Sequence, residues 1–229
     1  MKWISDLIEL IFPRHCIVCG EVLSKNEEDL CLNCLIALPL IEKEQNEELE
    51  KTFRGIIQVE KAASYLHYHK GSPYNRLLHL LKYKNRPDVG VRLAIMAGNE
   101  LKEKDFFKDV DLIIPLPLSK KKQRMRGYNQ CDYIAHGLSQ VSGIPVDTSC
   151  ITRTRANETQ THKTREERWK NVEGIFTVDN PQKLAGKHIL LVDDVLTTGA
   201  TIASCASAII KCGGKVSIFT IAHSDNTHR

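Results

Sequence analysis

A chain of 229 residues can hold one substantial core and a small satellite module, but not two full-sized domains. Its 42% hydrophobic and 26% charged content is ordinary for a soluble globular protein, and no apolar run reaches the ~20 residues needed to span a bilayer. A formal charge of +4 is too small to argue for nucleic acid by itself, but it is unevenly spread: residues 42–50 are acidic, whereas 120–126 and 153–170 are rich in Lys and Arg.

The amino terminus carries Trp3, Ile4, Leu7, Ile8, Leu10, Ile11 and Phe12, interrupted by Asp6 and Glu9. Those charges, and the lack of a small-residue cleavage site, argue against a signal peptide. The pattern reads as an amphipathic helix docked on the rest of the protein, with a membrane-surface helix as the less favoured alternative. Pro13 ends it.

Cys16, Cys19, Cys31 and Cys34 follow, as two C-x2-C pairs separated by eleven residues. Four thiolates so spaced can surround Zn²⁺ tetrahedrally. With every position filled by sulfur there is no open coordination site, so the expected zinc is structural. Two disulfides, or an iron–sulfur cluster, are the alternatives. Cys131, Cys150, Cys205 and Cys212 are scattered singly among apolar residues, as structural thiols in a reducing cytoplasm would be.

The Glu-rich stretch 42–51 reads as a linker or exposed helical turn, and 56–66 as a strand. Pro73 opens a helix with Leu77, Leu78, Leu80 and Leu81, and 89–104 gives another. From there strand and helix patterns alternate. A strand at 110–116 precedes a basic loop at 119–130, then a helix that stops at Gly143 and a strand at 144–151. The polar stretch 153–171 reads as a long loop. Strands at 174–178 and 188–193, a helix from about Thr198 to Cys212 and a strand at 215–222 complete the chain. Such alternation predicts an α/β fold with a mainly parallel sheet flanked by helices.

The most informative unit is the strand ending in Asp193 and Asp194, which runs through Val195, Leu196, Thr197, Thr198, Gly199, Ala200 and Thr201 into a helix. Ligands of open α/β sheets sit beyond the carboxyl ends of the strands. A helix starting there aims unpaired N–H groups and its positive dipole end at an anion. Gly199 allows close backbone approach to a phosphate, and Thr197, Thr198 and Thr201 add neutral hydroxyl donors. Two carboxylates beside an anion site suit ribose hydroxyls, and they can help hold hydrated Mg²⁺. A helix cap plus a surface acid is the bland reading, and it leaves the complete unit unexplained.

The basic loop faces the same crevice from another strand end. Its Lys120, Arg124 and Arg126, with the backbone of Gly127, are candidates for neutralising a pyrophosphate; a solvated basic turn is the alternative. The long loop is a candidate lid, with Gln160, Arg165 and Arg168 its leading residues and Trp169 a packing anchor. Lys82 and Lys84 either reach the phosphates or mark a solvated helix end. The histidines, among them His67, His69, His79 and His162, have no metal-binding spacing.

The segment ILLVDDVLTTGAT resembles the signature of type I phosphoribosyltransferases. That resemblance implies ribose contacts for Asp193 and Asp194 and 5-phosphate binding by residues 197–201. With PLPLSKKKQRMRGYNQ and RTRANETQTHKTREERWKNVEGIF in order before it, and the cysteine module in front, the chain resembles the ComF family of competence-associated phosphoribosyltransferase-like proteins. The lid is also similar to that of amidophosphoribosyltransferases, whose glutaminase domain is missing here. Residues 1–50 are then expected to form the amino-terminal helix, zinc module and linker, and 51–229 the phosphoribosyltransferase-like domain.

The ComF resemblance implies binding of 5-phosphoribosyl pyrophosphate with Mg²⁺ and a role in DNA uptake during natural competence. If catalytic, the protein would be a phosphoribosyltransferase displacing pyrophosphate at the anomeric carbon. The alternative is a non-catalytic ligand sensor that holds single-stranded DNA or adapts competence-machinery proteins. Related folds often form homodimers, and the acceptor is not encoded in any recognisable base-reading motif.

Overall fold

The computed structural model describes residues 12–53, 55–154 and 174–224. The amino-terminal helix and the lid residues Gln160, Arg165 and Arg168 predicted from sequence lie outside the described residues.

Four parallel strands form the central sheet: β1 (Ala62–His67), β2 (Leu112–Pro115), β5 (His188–Leu196) and β6 (Lys215–His223), in the order β1-β6-β5-β2. An antiparallel pair, β3 (Ile151–Arg153) with β4 (Phe176–Val178), stands apart. The helices are α1 (Leu32–Ile36), α2 (Lys43–Phe53), α3 (Asn75–Tyr83), α4 (Pro87–Glu103), α5 (Lys120–Arg126), α6 (Gln130–Ser142) and α7 (Ala200–Lys211). No described helix is long and apolar enough to cross a membrane.

β5 and β6 read as near-continuous apolar runs because both of their faces are buried. Alternation along β5 sends Leu190 and Val192 into one layer, with Leu77, Leu93 and Leu138. Ile189 and Leu191 enter the other, with Phe53, Ala203 and Ile209. Val18, Leu38 and the cysteine-bearing turns join the first of these layers, so the amino-terminal module shares the core of the sheet.

Three sequence expectations are corrected. Of the two forms expected for the acidic stretch, linker or exposed helical turn, the structure has the helical one, but longer and partly buried: it forms α2, which buries Leu49 and Phe53. The Oδ1 of Asn46 accepts the Ser64 N–H at 2.8 Å and the Oε1 of Glu50 accepts that of Ala62 at 3.3 Å, satisfying β1 donors at the open edge of the sheet. The same edge is covered by the chain leaving the cysteine module, through Ile41 N to Tyr65 O (2.9 Å) and His67 N to Pro39 O (2.7 Å). The division expected after residue 50 therefore falls inside a helix.

The strand expected from residue 56 begins at Ala62, because the N–H groups of Ile56 and Ile57 turn back to the carbonyl of Phe53 and close α2. The strand expected at 144–151 is reduced to one parallel bridge between Ile113 and Val146. Pro145 has no N–H to donate, and the Asp147 carboxylate then draws the chain into a turn by accepting from Ser149 N (2.8 Å) and Cys150 N (3.1 Å). Gly143 ends α6 in the left-handed conformation, as the sequence predicts.

Candidate functional site

The carboxyl end of β5 delivers Asp193 and Asp194, and the two side chains go to opposite faces of the sheet. Asp194 is only 6% exposed. Its Oδ2 lies 3.2 Å from Lys82 Nζ, in the last turn of α3, without an aligned hydrogen bond. Asp193, on the other face, accepts through Oδ1 from the Asp194 N–H at 2.8 Å and from the buried Cys131 thiol of α6 at 3.4 Å. Burial, then the charge of Asp194, push the Asp193 carboxyl well above the usual carboxylate range; the Asp194 N–H and the Cys131 thiol pull the other way. The Cys131 thiol is raised in turn by burial and by both aspartates, which keeps it a proton donor.

After Leu196 the chain bends through Thr197, Thr198 and Gly199 into α7. Gly199 occupies the N-cap at φ +74°, a conformation that L side chains rarely adopt. A Cβ there would meet Phe53 Cε1 of α2 at 3.0 Å. No side chain caps α7, and its first closing bond runs from Ala203 N to Gly199 O at 2.9 Å. The N–H groups of the first turn thus have no helical acceptor. Thr197 is exposed, Thr198 and Thr201 are half-buried, and Gly199 and Ala200 are buried.

The basic segment is a helix rather than a loop. Ser119 caps α5 through its hydroxyl, Lys, Gln, Arg and Met favour helix, and Gly127 closes it with φ +82°. The Gly127 N–H bonds Gln123 O at 2.8 Å, so this predicted donor is already engaged. Helical spacing divides the cations of α5 into two groups. Lys120 and Arg124 are exposed. Lys122 and Arg126, one turn apart, belong to the cleft.

Arg126 stacks over Tyr83 with its Cζ 5.2 Å from the ring centroid, and its Nη1 donates to Gln130 Oε1 at 2.7 Å. Arg153, at the end of β3, lies over Phe176 at 5.4 Å. Buried Nε atoms of both arginines have no hydrogen-bond partner. Burial of its ammonium, then the positive charges of Arg153 and Arg126, lower the Lys122 pKa although the residue as a whole is exposed; Asp194 opposes that shift. Burial lowers Arg153 as well, opposed by Asp193. Sequence reasoning missed Lys122, Arg153, Tyr83 and Cys131 as site residues and left Lys82 undecided.

The second centre is the cysteine group. The sulfurs of Cys16, Cys19, Cys31 and Cys34 all lie within 4.8 Å of one another, and Cys19 and Cys31 are 3.6 Å apart. A tetrahedron with Zn–S bonds of about 2.3 Å has edges of roughly 3.8 Å, so the thiols fit a structural zinc. Arg76 Nη1 donates to Val18 O (3.0 Å) and the Tyr74 hydroxyl to Cys34 O (3.0 Å), docking the turns onto α3. An ion-pair group of Asp29, Asp88, Arg86 and Arg92 ties the same module to α4.

The chain matches the Phosphoribosyl transferase domain over residues 130–229 and the Double zinc ribbon domain over residues 7–45. It is 36% identical over 156 residues to Competence protein ComFC of Bacillus subtilis, covering 66% of this chain and 62% of that protein. It is 29% identical over 149 residues to Competence protein F of Haemophilus influenzae, covering 63% and 65%. The chain is thus similar in sequence to the ComF competence proteins, and it spans less than two thirds of the length of each of these relatives. It is also 32% identical over 144 residues to DNA utilization protein YhgH of Salmonella typhimurium, and its match spans 63% of that relative's length. Among solved structures it is similar to an adenine phosphoribosyltransferase at 13% identity and a TM-score of 0.43, covering 67% of this chain and 76% of that one.

Proposed function

We propose that the protein binds 5-phosphoribosyl pyrophosphate, or a sugar phosphate of that type, together with Mg²⁺ in the cleft at the carboxyl end of β5, and that it serves DNA uptake or utilisation. The observation that carries this reading is the pair of opposed acids, Asp193 and Asp194, set directly before an uncapped helix start and ringed by Lys82, Lys122, Arg126 and Arg153. The role in DNA handling rests on the names of the relatives, DNA utilization protein YhgH and Competence protein ComFC.

In this reading the first-turn N–H groups of α7, with Thr197, Thr198 and Thr201, hold the 5-phosphate, and the two aspartates accept the ribose hydroxyls. Lys122 and Arg126 face the pyrophosphate, with Lys120 and Arg124 as outer contacts, and Gln160, Arg165 and Arg168 act from the lid. Bound Mg²⁺ would share the pyrophosphate charge through oxygen ligands, including the carboxylates. Displacement at the anomeric carbon would develop charge on the departing pyrophosphate, and in this reading these cations stabilise it.

The test is calorimetric titration with 5-phosphoribosyl pyrophosphate and Mg²⁺, comparing the parent with Asp193→Asn/Asp194→Asn. Saturable binding by the parent that the double variant loses supports the reading, and no binding by the parent overturns it. Pyrophosphate release with candidate acceptors then separates a transferase from a sensor.

A second reading is favoured by the exposed Lys120, Lys121 and Arg124, which helical spacing groups on the side of α5 other than that of Lys122 and Arg126. Here the cleft senses the ligand while this outer basic face holds single-stranded DNA. Affinity for DNA should then fall steeply with salt and weaken in Lys120→Gln/Arg124→Gln; salt-independent or absent binding removes this reading.

A further inference from the structure

Residues 61–87 contain no aspartate or glutamate, although the whole chain carries 28 acids, and they supply six lysines and arginines and three histidines. Helical spacing sorts this basic stretch where it forms α3. Leu77, Leu78 and Leu81 enter the core, and Arg76, His79, Leu80 and Tyr83 share the opposite side, with Lys84 at the C-cap. Arg76, His79, Tyr83 and Lys84 are exposed, and Leu80 is half-buried. The rings of His79 and Tyr83, one turn apart, have centroids 5.1 Å from each other and are tilted by 45°. Arg126 lies over Tyr83, so this face continues toward the cleft.

Beside the rings a pocket of about 520 Å³ opens between α3 and the loop at 71–73, with Arg76, His79, Leu80 and Lys84 on its helix side. Asn75 fixes the loop by donating from Nδ2 to His69 O at 2.7 Å, which leaves the exposed Lys70 next to the pocket-lining Gly71. Among the described residues, the lining has no carboxylate. We propose that this face of α3 binds single-stranded DNA, with a base seated in the pocket against His79, a neighbouring base on Tyr83, and the phosphates on Lys70, Arg76 and Lys84.

Two features together select a single strand. Cations neutralise its backbone, and exposed rings set among them offer stacking platforms to bases that a duplex would keep paired. An acidic peptide would use the cations and leave the paired rings idle. An anionic membrane would want a protruding apolar anchor, and Leu80, the aliphatic residue of this face, is half-buried. The surface differs from the outer face of α5, and it rests on the DNA-holding reading above only for the kind of polymer.

The test is fluorescence anisotropy of the zinc-loaded full chain with labelled oligothymidine and with an abasic sugar–phosphate oligomer of equal length. Oligothymidine should bind the more tightly. His79→Ala should weaken it at least about fivefold and leave the abasic oligomer unaffected, which also shows that the variant is folded. His79→Phe should restore the loss. Lys70→Gln/Lys84→Gln should weaken both oligomers and flatten the slope of log affinity against log salt by about 1.4, two phosphates at about 0.7 each. Equal binding of the two oligomers by the parent, or unchanged oligothymidine affinity in His79→Ala, overturns the proposal. So does tighter binding of oligouridine, polyglutamate or phosphatidylglycerol vesicles. DNA affinity lost in Lys120→Gln/Arg124→Gln but kept in His79→Ala would remove this surface alone, whereas a parent that binds no strand removes both surfaces. Titration with 5-phosphoribosyl pyrophosphate should be unaltered in His79→Ala, so the cleft reading stands or falls separately.

Discussion

Replacing Gly199 with alanine tests the geometry of the phosphate-type loop most directly. The residue sits at φ +74°, where a Cβ costs about 1–2 kcal/mol. The new methyl would also lie 3.0 Å from Phe53 Cε1. Phe53 is fully buried, so its ring cannot swing into solvent, and mild overpacking of this kind adds about 1 kcal/mol. The expected loss is about 2–3 kcal/mol, a drop in Tm of roughly 4–12 °C for a chain of this size. Urea denaturation should show it at unchanged slope, and titration with 5-phosphoribosyl pyrophosphate and Mg²⁺ should show at least about tenfold weaker binding if the loop holds the 5-phosphate. Phe53→Leu supplies the control. In that background Gly199→Ala should recover the packing part of the loss and keep the backbone part, giving a coupling of about 0.5–1 kcal/mol. A Gly199→Ala protein within about 0.5 kcal/mol of the parent, with unaltered affinity, would refute this account of the turn.

The raised Asp193 carboxyl has a signed consequence for stability. The native state holds that proton over an interval in which the unfolded chain, with its carboxyl near pH 4, has already lost it, so this group's contribution falls as pH rises through the interval. Asp193→Asn should therefore gain on the parent in urea midpoint between about pH 5 and about pH 8, and a difference that does not vary with pH would contradict the assignment. Lys82→Met removes the ion-pair partner of the buried Asp194 and should cost about 1–3 kcal/mol, below the range for a fully buried pair because the Lys82 side chain is 22% exposed. Adding Asp194→Asn should restore most of that loss, whereas strict additivity in denaturation would show that the pair is not coupled. Cys31→Ser should abolish stoichiometric zinc and, because Val18 and Leu38 share a core with Leu77 and Phe219, should also weaken hydrogen-exchange protection in β1 and β6. Unchanged protection there would mean that the module folds independently of the sheet.

The strands and acids of the site were legible because their signal is local. A run such as 189–192 that is apolar at every position requires burial on both faces, and a carboxylate pair just after it has few structural uses. The cysteine spacing was legible for the same reason. What was lost depended on period or on distant partners. Treating 119–130 as a loop concealed the helical spacing that sorts Lys122 and Arg126 from Lys120 and Arg124, although Ser119 and Gly127 at its ends are cap residues. The Glu-rich composition of α2 concealed Leu49 and Phe53, whose spacing of four is the only apolar signal in that helix. Arg153 and Cys131 join the site only through tertiary folding, from β3 and α6, and no window of sequence contains them with Asp193.

The opposed orientation of the two aspartates explains why neighbouring acids of one motif should behave differently. Asp194 faces α3 and is matched by Lys82, so its charge is balanced before any ligand arrives. Asp193 faces the buried thiols of α6 and α7 with Arg153 beyond them, and its charged form is the costly one. An incoming cation or a ribose hydroxyl would therefore stabilise the ionised Asp193 far more than Asp194, and binding at this end of β5 should release a proton near neutral pH. A sugar diphosphate brings both the hydroxyls and, with its metal, the cation, whereas a simple phosphate brings neither. In the proposed reading the acid pair would therefore favour the complete sugar phosphate over inorganic phosphate at the same helix start, a preference that the α7 N-terminus alone could not provide.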